Sequence, residues 1–136
     1  MATRVETVSY FKVMIPDRPG AGERVLSALR RERVALRAVH AFPSGRGAQL
    51  DLVPADAAAF RRAAAKAGIR TGRPKKAFLV EGQDRTGVLA ALLAPVAAAR
   101  ISVTAATAVR AGRGRFGAIL WVAQRDVARA KKALGA

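Results

Sequence analysis

The sequence predicts an α+β protein made of two ferredoxin-like units, each an antiparallel sheet with helices on one face. Two observations carry this. First, the chain repeats itself. Asp17-Arg18-Pro19-Gly20 returns as Asp84-Arg85-Thr86-Gly87, Val34-Ala35-Leu36 as Ile101-Ser102-Val103, and Gly45-Arg46-Gly47 as Gly112-Arg113-Gly114. Past a small insertion, Leu50-Asp51-Leu52-Val53 meets Ile119-Leu120-Trp121-Val122. Second, each copy reads in the order strand-helix-strand-strand-helix, with hydrophobic periods switching between two and about 3.6 residues. The copies span residues 1–72 and 73–136.

In the first copy, Phe11, Val13 and Ile15 alternate within Tyr10 to Ile15, a strand that Pro16 ends. Asp17-Arg18 makes the turn, and Pro19 suits a first helical turn, where its missing N–H costs nothing. Gly22, Val25, Leu26 and Leu29 line one face of the helix that follows. Val34 to Ala41 and Ala48 to Val53 form a hairpin around Pro43 to Gly47, because clustered Gly and Pro interrupt both regular structures. His40 then lies on a sheet surface. Asp56 is an N-cap for a helix over Ala57 to Ala67, with Gly68 just past its end. Ile69 to Thr71 begins a short fourth strand, and Gly72-Arg73-Pro74 links the copies.

The second copy repeats this: a strand over Ala77 to Glu81, a helix over Gly87 to Ala99, and a hairpin of Ile101 to Val109 with Phe116 to Val122. A last helix covers Asp126 to Leu134. Pro95 predicts a kink or break in the first of these helices. This copy has no fourth strand of its own. Phe116 and Trp121 read as core or domain-interface residues.

Composition narrows the function. At 51% hydrophobic and 25% charged the chain has the makings of a packed core, and with 5% aromatic that core is aliphatic. It has no cysteine and one histidine, which excludes thiolate sites and predicts no metal or cofactor. No nucleophile–base pair and no Gly-x-x-x-x-Gly-Lys loop occurs, so the protein reads as non-catalytic. No apolar run reaches the roughly 18 residues of a membrane span, and Met1 to Glu6 is not a signal peptide. Together these predict a cytoplasmic protein that does not engage membranes. The net charge of +16 attracts polyanions, but the arginines are scattered, which predicts weak and nonspecific binding.

The strand-loop-helix of each copy, Val13 to Gly20 and Leu79 to Leu89, resembles the ACT domain, a small-molecule-binding regulatory module. The resemblance spans roughly residues 8 to 134 and implies a tandem, stand-alone ACT protein: two βαββαβ units acting as an allosteric sensor of an amino acid or similar small molecule. It implies ligand at the loop, against a strand of a neighbouring unit, and a ligand-binding set of Asp17, Arg18, Gly20, Ala21, Asp84, Arg85, Gly87 and Val88. Chemistry supports such a place, because glycine admits close backbone approach and a helix start favours an anion. The expected pose lays a ligand carboxylate over the N–H groups of Gly20 and Ala21, or Gly87 and Val88, with Asp17 or Asp84 facing an ammonium. The second loop is the better fit, since Leu89 keeps the apolar residue behind the glycine where the first copy has Gly22. Exposed strand edges in so small a unit predict pairing between copies or as a homodimer.

The competing reading is RNA binding. The same strand order serves RNA-recognition modules, and Gly114 to Trp121 echoes their third strand. Ile119 stands where that motif has an aromatic, and the first copy's third strand has no ring.

Overall fold

The computed structural model describes residues 3–136; Met1 and Ala2, the start of the amino-terminal stretch read above, lie outside the described residues. These residues form six strands and four α-helices: β1 (Arg4–Pro16), α1 (Ala21–Arg31), β2 (Leu36–Ser44), β3 (Gly47–Pro54), α2 (Ala57–Ala67), β4 (Lys75–Gln83), α3 (Val88–Ala98), β5 (Val103–Gly112), β6 (Arg115–Val122) and α4 (Val127–Leu134). No helix among them is long and apolar enough to cross a membrane.

The chain divides into two compact units. One is Ser9–Lys75, and the other joins the residues up to Val8 to Lys76–Ala136. The sequence reading split the chain at residues 72 and 73 and left the second unit without a fourth strand. In the structure the first half of β1 takes that place, next to β4, in the order β1-β4-β6-β5. β1 runs for 13 residues, far longer than the Tyr10 to Ile15 strand read from alternation. The pairing that recruits its first half is long-range, and local periodicity does not reveal it.

In the Ser9–Lys75 unit the strands order β2-β3-β1, all antiparallel. Phe11, Val13, Leu29, Leu50, Leu52, Phe60 and Ala63 form its core. Phe11 and Phe60 meet with ring centroids 4.7 Å apart. The expected strand over Ile69 to Thr71 is irregular backbone instead, although Gly72 N–H donates to the Lys12 carbonyl at 3.2 Å. On the sheet's opposite face Asp51 is buried, accepts from Gln49 Nε2 at 2.8 Å, and stands opposite Lys12 and His40 on the flanking strands.

The other unit packs Phe78, Val80, Val88, Val96, Ile101, Phe116, Ala118, Leu120, Val122 and Ala130 into one core. Its registers match those of the first. Phe78 faces Leu120 as Phe11 faces Leu52, so β6 carries one residue more than the constant offset of the repeat. The extra residue falls at an irregularity of β5 between Arg110 and Gly112. Leu52 therefore corresponds to Leu120, one position from the alignment read in the sequence. Gln124 completes the start of β4. Its side-chain amide accepts from Lys76 N–H at 3.0 Å and donates to Lys76 carbonyl at 3.1 Å, as a strand neighbour would.

Helix ends follow local chemistry. The Asp56 carboxylate accepts from Ala59 N–H at 3.1 Å and caps α2. α3 runs unbroken through Pro95, where the sequence suggested a kink or break. Pro95 is exposed, so water can satisfy the Ala91 carbonyl that has lost its usual donor.

Candidate functional site

Both strand-to-helix junctions are built alike. Gly20 and Gly87 precede α1 and α3 with φ of 84° and 78°, a left-handed conformation that an L side chain resists. Neither helix start has a side-chain cap, so Asp17 and Asp84 do not fill that role. The turn instead closes on itself. Ala21 N–H donates to the Arg18 carbonyl at 3.2 Å, and Val88 N–H to the Arg85 carbonyl at 3.1 Å. The first bonds back into the helix come from Arg24 to Gly20 and from Ala91 to Gly87. The N–H groups of Ala21 and Val88, expected to meet a ligand, are thus occupied. The helix-start donors left over lie one or two residues deeper, on Leu89 and Ala90 in α3 and on Gly22 and Glu23 in α1.

The two junctions differ in what surrounds them. At the second, Asp84, Arg85, Gly87, Val88, Leu89 and Ala90 face Ala108, Val109 and Arg110 of β5 and Phe116 of β6 across an open cavity of about 260 Å³. Its wall is β5 of the same unit, where the resemblance implied a strand from a neighbouring unit. Arg110 Nε lies 3.1 Å from Asp84 Oδ2. Asp84 is also fixed through its backbone, donating to the Gly114 carbonyl at 2.7 Å. Arg85 is exposed, and its guanidinium has no ion pair among the described residues.

The floor depends on Gly82. A Cβ there would stand 3.2 Å from the Phe116 ring and 3.1 Å from Thr3, so the ring or Thr3 would have to give way by a few tenths of an ångström. At the first junction Ile15, Ala48, Pro43 and Gly22 stand where the second has Gly82, Phe116, Arg110 and Leu89. The first junction therefore lacks the aromatic floor and the arginine opposite Asp17. Asp17, Arg18 and Gly20 are exposed there, and Ala21 is buried.

Of the residues expected from the sequence, the structure gathers Asp84, Arg85, Gly87 and Val88 around one cavity and leaves Asp17, Arg18, Gly20 and Ala21 at a separate junction. Sequence reasoning missed Arg110, Ala108 and Phe116 as walls, since only the hairpin register of β5 and β6 brings them to the loop. Phe116 and Trp121, the rings of the RNA-recognition echo, are each 5% exposed. Neither is available to stack on a base.

No protein-family model matches the sequence, and a search of curated proteins finds no match. Solved structures do match. A protein of Bacteroides thetaiotaomicron superposes with a TM-score of 0.81 at 13% identity, over 96% of this chain and 88% of its own. The ligand-free regulatory subunit of aspartate kinase from Thermus thermophilus gives a TM-score of 0.65 at 17% identity, over 99% of this chain and 95% of its own. The corresponding subunit from Thermus flavus gives 0.58 at 18%, over 98% and 94%. At these identities the likeness is one of fold: an α+β, ACT-like, ferredoxin-type arrangement.

Proposed function

We propose that this protein is a non-catalytic regulatory module, a tandem ACT-type sensor that binds an amino acid or similar small molecule at its second strand-to-helix junction. The observation that carries the reading is the cavity of about 260 Å³ between the Asp84 to Ala90 segment and β5. It combines an apolar wall, two guanidiniums, one carboxylate and helix-start N–H groups in one concave place, the mix typical of small-molecule sites. The fold likeness to aspartate kinase regulatory subunits supports a regulatory role. The exposed, ten-residue edge strand β5 supports assembly as a homodimer through strand edges. We place the protein in the cytoplasm.

Isothermal titration of the full chain against the twenty amino acids and their simple carboxylate analogues tests this, with single-stranded RNA as control. Saturable binding of a small molecule, lost in Gly87→Val, supports the reading. If nothing in the panel binds, the reading fails and the two loops are helix starts only.

A further inference from the structure

The cavity at the second junction is charged in one sense. Its side chains offer one carboxylate, Asp84, and two guanidiniums, Arg85 and Arg110. The carboxylate is already paired, with Arg110 Nε at 3.1 Å from Oδ2, and its side chain is only 26% exposed. Arg85 has no ion pair among the described residues, so one positive charge faces the cavity unbalanced. The start of α3 adds to it, since a helix N-terminus carries roughly half a positive charge.

An amino-acid zwitterion placed here gains partners for its carboxylate, while its ammonium would have to share Asp84 with Arg110. The ammonium would stand beside two guanidiniums and the positive end of a helix, and the one carboxylate among the lining residues is already engaged by Arg110. Such unpaired like charge is what a binding site uses to reject a competitor. The rest of the lining is apolar: Val88, Leu89, Ala108 and Phe116. The volume, about 260 Å³, is just below the roughly 300 Å³ at which sites for drug-sized ligands begin.

We infer that the ligand is a small carboxylate with an aliphatic tail and no α-ammonium, such as a 2-oxo or deaminated branched-chain acid. This rests on the second junction being the ligand site. Arg85 binds the ligand carboxylate, the Leu89 and Ala90 N–H groups add hydrogen bonds, and the tail lies on Val88 and Phe116. Asp84 orients Arg110 and is not an ammonium acceptor.

Three compounds with one carbon skeleton isolate the point: leucine, 4-methyl-2-oxopentanoate and 4-methylpentanoate, titrated calorimetrically into the full chain. The two acids without ammonium are expected to bind at least tenfold tighter than leucine. Arg85→Gln, at an exposed position that leaves folding intact, should weaken them about tenfold. Leucine binding as tightly as the oxo acid, or tighter, overturns the inference while the junction remains a ligand site, and needs no variant to interpret. Binding of the oxo acid that Arg85→Gln leaves unchanged also overturns it. If neither these acids nor any of the twenty amino acids binds, the junction is not a ligand site, and the underlying reading falls with it.

Discussion

Arg110 and Asp84 join the edge strand β5 to the loop that starts α3, with 3.1 Å between Nε and Oδ2. The first unit has Pro43 in place of Arg110, so its loop carboxylate, Asp17, has no such partner on β2. This exchange is one of four, with Ile15 for Gly82, Ala48 for Phe116 and Gly22 for Leu89, that separate the two junctions. The Arg110 side chain is 76% exposed, so the pair does little for folding. Arg110→Gln is expected to lower unfolding free energy by no more than about 1 kcal/mol, read by urea denaturation. A larger loss would mean that the pair holds the unit together rather than shaping a site.

A second prediction concerns helix ends. All four helices close with the same pair of backbone bonds, seen in α1 as Val34 N–H to Leu29 carbonyl and Arg33 N–H to Arg30 carbonyl. That motif puts the residue after the cap in a left-handed conformation. Gly68 and Gly135 hold it in α2 and α4, but Arg33 and Arg100 hold it in α1 and α3, at φ of 58° and 59°. Arginine pays a steric cost there that glycine avoids. Arg33→Gly and Arg100→Gly should each gain about 0.5–1 kcal/mol, after the extra chain entropy of glycine is set against the relief. Thermal melts of the single variants check this, and a lowered Tm in both would count against it.

These ends show where the sequence was readable. Asp56 and Gly68 are residue types that cap helices, and α2 lies where they predict it. Arg33 and Arg100 give no such signal. The repeat revealed the element order because it preserves local patterns. The closure of the second unit by Arg4–Val8, and the meeting of Arg110 with Asp84, depend on pairings between distant segments and on the irregularity near Ala111, which no local pattern encodes. The turn bonds from Ala21 and Val88 to the Arg18 and Arg85 carbonyls were also hidden, since they follow from the left-handed glycine beside them.

The basic surface gives a third prediction. With a net charge of +16 the chain should bind single-stranded RNA and DNA alike, without sequence preference, and lose them steeply as salt rises. Fluorescence anisotropy over a salt series reads the slope. Tight, sequence-selective binding that persists at high salt would contradict it and would require rings other than the buried Phe116 and Trp121.

Alkaline pH supplies a fourth. Tyr10, the single tyrosine, has its pKa raised above 10.0, first by burial and then by the Asp51 carboxylate. Both causes favour the neutral phenol in the folded state. The unfolded chain therefore releases this proton at lower pH than the folded one. The contribution is fully present below pH 10 and is lost as pH rises through the folded pKa. Absorbance titration of tyrosinate should show a midpoint above that of free tyrosine, and Tyr10→Phe should flatten the alkaline fall in stability. A midpoint at the free value would remove the case for a half-buried phenol beside Asp51.

The last prediction separates backbone strain from ligand binding. Gly20 and Gly87 have nearly the same left-handed φ, and a Cβ at either meets no heavy atom within 4 Å. Replacing either by alanine should therefore cost about the same, roughly 1–2 kcal/mol, because the penalty is conformational and not a clash. Ligand breaks that symmetry. At a hundredfold excess over Kd a small molecule stabilises the folded chain by about 2.7 kcal/mol, enough to raise Tm visibly. Gly87→Val puts a branched side chain at the mouth of the cavity and should abolish that rise. Gly20→Val, at the junction without the aromatic floor or the opposing arginine, should keep most of it. Differential scanning fluorimetry of the three proteins with and without ligand decides the matter. Equal loss in both variants would show that strain alone, and not the cavity, sets the response.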